Sequence, residues 1–112
     1  MADNWVEEYF TAWNGTDADA VAAFVTDDVV FEDVTAGHVA RGAHQFRKFV
    51  EICYRRVPDA RYEVVASRTS DDSYAVEWVM QPMGVRGASV GTLREGRIAS
   101  NRDYWNGAEF QP

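Results

Sequence analysis

The sequence predicts an α+β fold in which a curved antiparallel sheet wraps around three helices, forming a cone with one internal pocket. Two observations lead to this class. Apolar residues recur at helical spacing in three segments, and strand-like segments follow one another in the second half of the chain. Helices first and an antiparallel meander last is an α+β arrangement. The 112 residues, 46% of them hydrophobic, are expected to form one domain, residues 1–112.

The first predicted helix spans residues 4–13, with Asp3 or Asn4 as its N-cap. Its apolar residues recur every three or four positions, at Trp5, Val6, Tyr9, Phe10 and Trp13. On spacing alone, Tyr9 and Trp13 are core residues.

A second helix and a strand are predicted next. Thr16 or Asp17 caps the helix, which extends through Val25. The first strand covers residues 29–33, and residues 34–41 are predicted to be a loop.

The third predicted helix runs from about Gly42 to Val57 and ends before Pro58. Its last turn carries Arg55 and Arg56, which suit the negative pole of the helix dipole and are predicted to be solvated.

Strands are predicted at residues 60–68, 73–82, 87–94 and 97–105. In the second of these, Tyr74, Val76 and Trp78 alternate, so they are expected to share one apolar face of the sheet. The sheet is therefore expected to have four or five strands.

Two aspartates lie at strand ends in line with apolar neighbours. Asp33 shares a face with Val29 and Phe31, whereas Asp103 shares one with Asn101 and Trp105. A carboxylate on an apolar face must be paired or must shift its pKa, which makes each a candidate acid or base. The alternatives are a loop-capping role for Asp33 and, for Asp103, a structural ion pair with Arg102 or Arg41 or a hydrogen bond to a helix end.

The composition of the chain argues against several classes of binding partner and site. The formal net charge of −7 argues against nucleic acid or an anionic membrane surface. One cysteine, Cys53, allows no intrachain disulfide, which fits a cytoplasmic location. No targeting segment or membrane-spanning run is evident. Two histidines far apart and one cysteine predict no metal site.

Four stretches together resemble the nuclear transport factor 2-like superfamily, which includes SnoaL-like polyketide cyclases, ketosteroid isomerases and limonene-epoxide hydrolases. They are Glu8–Asn14, Asp27–Asp33, Val76–Trp78 and Glu95–Trp105. The resemblance covers nearly the whole chain in element order. It implies the cone fold and a pocket that works without a cofactor.

The resemblance also implies roles for single residues. Asp33 falls on the position of the ketosteroid isomerase general base, and Tyr9 on that of the tyrosine that donates to the enolate oxygen. Ser89 stands where that family has a neutral carboxylic acid. Asp103 matches the acid/base aspartate of SnoaL-like cyclases and one catalytic aspartate of the epoxide hydrolases. The other two charged positions of the hydrolases fall on Glu77 and Val79.

The catalytic candidates are therefore Asp103, Asp33 and Tyr9. The candidates for substrate binding are residues expected on pocket-facing positions or at its mouth: Trp13, Phe31, His38, Glu77, Asn101 and Trp105. Desolvation in an aromatic cone would raise the pKa of a carboxylic acid toward the working range.

Three functions follow as hypotheses. The first is proton transfer on a small, largely apolar carbonyl compound of polyketide, steroid or terpene type, giving isomerisation or aldol-type cyclisation. The second is epoxide hydrolysis, and the third is a non-catalytic ligand-binding or dimerisation module. Apolar residues on both faces of residues 60–68 and 73–82 predict a homodimer through the outer face of the sheet.

Overall fold

The computed structural model of the chain describes residues 5–110. The helices are α1 (Trp5–Trp13), α2 (Ala18–Ala22) and α3 (Gly42–Arg56), and a short 3-10 helix covers Gly107–Glu109. The strands are β1 (Val25–Asp33), β2 (His38–Arg41), β3 (Arg61–Thr69), β4 (Ser73–Gln81), β5 (Val85–Arg94) and β6 (Arg97–Trp105). The predicted α+β class is confirmed. None of the described helices has the length and apolarity to cross a membrane.

All six strands form one sheet in the order β2-β1-β6-β5-β4-β3. Every neighbouring pair is antiparallel except β1 and β6, which run parallel. The parallel pair aligns Asp33 directly with Asp103. Because side chains opposite each other on adjacent strands point to the same face, this register decides which groups meet in the pocket.

The prediction that residues 34–41 form only a loop was wrong. A tight turn with Gly37 at φ 72° returns the chain along β1, and His38 pairs with Asp33 as β2 begins. The segment is short and its only buried side chain is Ala40. Such an edge strand carries little apolar pattern of its own, because the pairing with β1 holds it.

The second helix is shorter than predicted. The Asp17 side chain accepts a hydrogen bond from the Asp19 amide at 2.9 Å, so Asp17 is the cap. The helix ends at Ala22 and β1 begins at Val25, because Val25 pairs with Ile98 on β6. Asp3 and Asn4, the predicted caps of α1, lie outside the described residues.

The concave face of the sheet packs against α1 and α3. Tyr74, Val76, Trp78 and Met80 alternate along β4 and are all buried, which confirms the predicted apolar face. Phe46 and Val50 of α3 are fully buried, and the centroid of the Phe46 ring lies 4.7 Å from that of the Phe31 ring on β1. Burial of such side chains contributes about 1.5–3 kcal/mol each relative to exposure.

A register shift between β5 and β6 changes which residues of the last strand face the helices. Strict alternation along the strand would place Ile98 on the outer face with Arg102, but Ile98 is 1% exposed. The shift occurs between Thr92 and Leu93, so alternation breaks once and then resumes. Asn101, Asp103 and Trp105 consequently point inward, as predicted.

Two glycines of β5 let aromatic rings cross that strand. A Cβ added to Gly87 would lie 2.4 Å from the Cη2 of Trp78, and one on Gly91 would lie 2.5 Å from the Tyr74 hydroxyl. No residue with a side chain fits at those distances, so the rings lie over bare backbone. Both rings then reach the polar residues of β5 and β6.

Candidate active site

A cavity of about 340 Å³ lies between the concave face of the sheet, α1 and α3. Its walls are mainly aromatic, with rings from Tyr9, Trp13, Phe31, Trp78 and Trp105. The volume is at the lower end of the range for small-molecule sites, about 300–1,000 Å³.

Asp33 and Asp103 both line this cavity. They are register partners at the same end of the parallel strands β1 and β6, so their carboxyl groups are neighbours on one face. Among residues 5–110, no arginine, lysine or histidine forms a salt bridge with either one. The ion-pair alternative for Asp103 is therefore not what the structure shows.

One oxygen of Asp103 is held firmly. Ser89 donates to Oδ1 at 2.6 Å, and the Asn101 side-chain amide donates to the same atom at 2.7 Å. Oδ2 accepts no hydrogen bond from a described residue, and it is not a buried unpartnered atom. Oδ2 is therefore the oxygen that the cavity can reach.

A second layer of hydrogen bonds holds the two donors in place. The Trp78 indole donates to the Ser89 hydroxyl at 2.9 Å. The Tyr74 hydroxyl donates to Oδ1 of Asn101 at 2.6 Å, which turns the Asn101 amide nitrogen toward Asp103. A network in which every member is satisfied keeps the carboxylate in one orientation.

The pKa of Asp103 is raised to about 6, chiefly because burial disfavours its charged form. The hydrogen bonds from Ser89 and Asn101 oppose that shift, and the nearby charge of Asp33 adds to it. A carboxyl group with this pKa holds and releases a proton near neutral pH, which general acid–base catalysis requires.

Asp33 caps a turn, which was one of its two predicted roles, and it also lines the cavity. Its Oδ1 accepts from the Ala36 amide at 3.1 Å, which caps the turn after β1. The same oxygen accepts from the Trp105 indole at 2.7 Å, within the cavity wall. Oδ1 is thus engaged by two donors, as in Asp103, and the residue is half-buried.

Tyr9 projects from α1 into the cavity and is 4% exposed. Burial raises the pKa of its hydroxyl far above the ordinary value, and the charge of Asp103 raises it further. Tyr9 therefore stays protonated at any physiological pH and can only act as a neutral hydrogen-bond donor or acceptor.

The structure shows which of the remaining candidate residues line the cavity. Trp13, Phe31 and Trp105 line the cavity, and His38 lies at its mouth, stacked on Phe49 with ring centroids 5.2 Å apart. Asn101 is 2% exposed and does not line the cavity, so it acts behind Asp103.

The expectation that Glu77 faces the pocket was wrong. Trp78 takes the concave side of β4, so Glu77 is exposed on the outer side with Val79. Strand alternation had left both directions open, and the packing of Trp78 decided between them.

Two residues of the site were not among the candidates, although the resemblance had placed Ser89 at the position of a carboxylic acid. Ser89 proves to be a direct donor to Asp103, and Arg56 lines the cavity although it was predicted to be merely solvated. Helical spacing carried the signal for Arg56, because it follows Cys53 by three residues and Phe49 by seven.

The site therefore offers two adjacent carboxyl groups in the wall of an apolar cavity, with a neutral phenol in the same wall. Within residues 5–110 no cluster of three or more His, Cys, Asp or Glu side chains is arranged to hold a metal ion. The arrangement can remove a proton from carbon or oxygen and return it elsewhere on the same molecule.

Residues 6–101 match the family model of the SnoaL-like domain. No curated protein sequence matches the chain significantly. Among solved structures, a SnoaL-like protein of unknown function from Burkholderia thailandensis is similar, with a TM-score of 0.82 at 22% identity over 95% of both chains.

Two further structures share the fold. A Catenulispora acidiphila protein with a ketosteroid isomerase-like fold, in complex with trimethylamine, has a TM-score of 0.84 at 19% identity over 97% of this chain and 90% of its own. A Kribbella flavida protein thought to be a ketosteroid isomerase has a TM-score of 0.75 at 22% identity, over 96% and 78%. At identities below 25%, the similarity of these structures establishes the shared fold alone.

Proposed function

The chain belongs to the SnoaL-like domain family of the nuclear transport factor 2-like superfamily, and from that premise we propose that it is a cofactor-independent enzyme. It uses cavity carboxyl groups to transfer protons on a small, largely apolar carbonyl compound. The observation that carries the proposal is Asp103, with one oxygen held by two donors, the other open to the cavity, and a pKa of about 6.

In the proposed reaction, Oδ2 of Asp103 removes a proton from the carbon next to the substrate carbonyl. The electron pair of the broken C–H bond moves into an enolate. In an isomerisation the protonated Asp103 returns the proton to another carbon of the same molecule. In an aldol-type cyclisation the enolate carbon attacks a second carbonyl, and the proton passes to the new alkoxide oxygen.

Tyr9 supports this role as a donor to the developing enolate oxygen. It is buried in the cavity wall and remains neutral, so it can donate without giving up its proton. Asp33 lies beside Asp103 and is the second carboxyl group available to the reaction. The aromatic walls would exclude water from the reactive enolate.

Epoxide hydrolysis receives less support. The positions that the resemblance assigns to its other charged groups, Glu77 and Val79, are on the outer face of β4. No arginine contacts Asp103 within the described part of the chain.

A second candidate function is non-catalytic binding of a small alkylammonium ion. Aromatic rings and two carboxylates are the groups that bind such cations, and the similar Catenulispora protein was found with trimethylamine. Calorimetry would separate the two functions, because this one requires that trimethylammonium bind and that neutral tert-butanol not bind.

The proposed enzyme is tested by comparing Asp103→Asn and Asp33→Asn with the wild type on a panel of cyclic enones and diketones. Asp103→Asn should lower kcat/KM by about a hundredfold or more while the fold is kept. Glu77→Gln is the matched control, since it neutralises an exposed carboxylate outside the cavity. Unchanged turnover in Asp103→Asn would remove this residue from the mechanism and leave Asp33 as the candidate.

We also propose a homodimer through the outer face of the sheet. Tyr104 there is 45% exposed, and Val79 and Val90 lie half-buried on the same side of neighbouring strands. An apolar surface on a sheet whose other face is already packed favours self-association. A cytoplasmic location stays a prediction that rests on the single cysteine.

A further inference from the structure

The edge of the cavity carries an exposed guanidinium, that of Arg56, whereas Asp103 is half-buried in the wall. Arg56 is in the last turn of α3 and lines the cavity, and His38 lies at the mouth on β2. Arg47, Arg86 and Arg94 each form a salt bridge with a carboxylate, whereas no salt bridge joins Arg56 to a described residue. The guanidinium of Arg56 is therefore available to a ligand.

The two carboxyl groups and Arg56 act on the side chain of Cys53 with opposite sign. Cys53 lies in the cavity wall, and burial raises the pKa of its thiol to about 12. The charges of Asp33 and Asp103 raise that pKa further, and Arg56 works against them. The electrostatic effect of Arg56 thus extends into the cavity and is not confined to the surface.

A ligand in this cavity meets the half-buried carboxyl groups of Asp33 and Asp103 in the wall and the exposed guanidinium of Arg56 at the edge. An anionic group on the ligand would be repelled from Asp33 and Asp103 and attracted to Arg56. A carboxylate suits Arg56 particularly well, because the planar guanidinium can donate two parallel hydrogen bonds to it. The imidazole of His38 offers a further ring nitrogen at the same opening.

We propose that the substrate is an amphipathic carbonyl compound bearing a carboxylate, which Arg56 binds at the mouth while the carbonyl end reaches Asp103. This assignment rests on the proposed function for the proton transfer at Asp103. The mouth contact fixes the direction in which the molecule enters. The carbonyl end is thereby placed against the carboxyl groups and the carboxylate stays near water.

Binding of naphthylacetate and naphthylacetamide tests the proposal without any turnover. The two probes have the same ring and nearly the same shape, but only naphthylacetate is anionic. Calorimetry at low ionic strength and neutral pH should show naphthylacetate binding about three- to tenfold more tightly to the wild type. Added salt should reduce this preference, because Arg56 is exposed.

Arg56→Gln should abolish the preference, whereas Arg55→Gln, which removes an exposed charge from the same helical turn but outside the cavity wall, should keep it. Both side chains are exposed, so both variants should fold. The proposal is overturned if the wild type does not prefer naphthylacetate, if Arg56→Gln keeps the preference, or if Arg55→Gln loses it equally.

These binding measurements, taken together with the turnover assays on the panel of carbonyl compounds, separate this proposal from the proposed enzyme activity. If the preference depends on Arg56 but no carbonyl compound is turned over, the carboxylate-binding site is supported and the proposed catalytic function is refuted. Turnover of neutral carbonyl compounds with no carboxylate preference would do the reverse.

Discussion

Asp103 is the residue on which the chemistry of the cavity depends, and its pKa reflects two opposing influences. Burial and the neighbouring Asp33 favour the protonated form, whereas Ser89 and Asn101 stabilise the charged form through hydrogen bonds. The balance leaves the group near pKa 6. Each influence comes from a different residue, so each can be altered by itself.

Removing the Ser89 hydroxyl should raise the pKa of Asp103 above about 6, because one of the two hydrogen bonds that stabilise its charge is lost. Carbon-13 NMR titration of the Asp103 carboxyl in Ser89→Ala measures this directly. Ser100→Ala is the control, since Ser100 bonds to Thr92 at 2.7 Å and not to Asp103. A carboxyl resonance that titrates as in the wild type would contradict the assigned role of Ser89.

The free energy of unfolding should depend on pH, because the pKa of Asp103 changes on folding. Its pKa rises from 3.8 to about 6 on folding, so its contribution to stability is fully present below pH 3.8 and is lost as pH rises through about 6. Two pKa units correspond to at most about 3 kcal/mol. Burying the charged form therefore weakens the fold at higher pH.

Asp103→Asn removes this titration, and urea unfolding across the pH range measures the effect. The stability of the variant relative to the wild type should increase between about pH 4 and pH 7, by up to about 3 kcal/mol. Exposed carboxylates such as Asp19, whose pKa is lowered chiefly by its hydrogen bond to Arg47, affect both proteins equally. A constant stability difference at all pH values would contradict the raised pKa.

At the scale of elements, β5 positions the site because it has no side chain at two positions, Gly87 and Gly91. Gly87 and Gly91 allow the rings of Trp78 and Tyr74 to lie over the strand, and each ring then hydrogen-bonds to a residue that holds Asp103. The orientation of the carboxyl group thus depends on two absent side chains. A strand with ordinary residues at these positions would displace both aromatic donors.

Gly87→Ala should destabilise the fold by about 1–3 kcal/mol, because the new methyl group overlaps the buried Trp78 ring. Thermal and urea unfolding measure the loss, and tryptophan fluorescence reports displacement of the ring. Gly107→Ala is the control: its Cβ would lie 3.5 Å from Thr35, an ordinary contact. Equal stability of the two variants would show that Trp78 does not depend on the space above Gly87.

At the scale of the whole molecule, the sheet has one face against the helices and one face partly apolar and open. The mass measured by sedimentation at micromolar concentration should therefore be twice the 12.6 kDa of one chain. Val90→Lys places a charge in the middle of the outer face and should yield a folded monomer. Ala20→Lys adds the same charge on α2, away from the sheet, and should leave the dimer intact. A monomeric wild type would rule out this interface.

Periodicity was sufficient for most of the fold. The helical stripes placed α1 and α3 to within a residue or two, and alternation placed β3, β4 and β6 similarly. Those segments are long enough to bury a continuous face, so their local pattern and their packing agree. β2 and the start of β1 were missed, because their structure depends on partner strands and not on a pattern of their own.

The sequence by itself determined that Asp33 and Asp103 share faces with apolar residues, and thus that both are candidate acids or bases. Only the tertiary structure decided that they meet, because the parallel pairing of β1 and β6 joins residues 70 positions apart. It also excluded Glu77 from the cavity and brought in Ser89 and Arg56. The physical reason is that alternation defines two faces of a strand, whereas strand register and packing against the helices decide which face encloses the cavity.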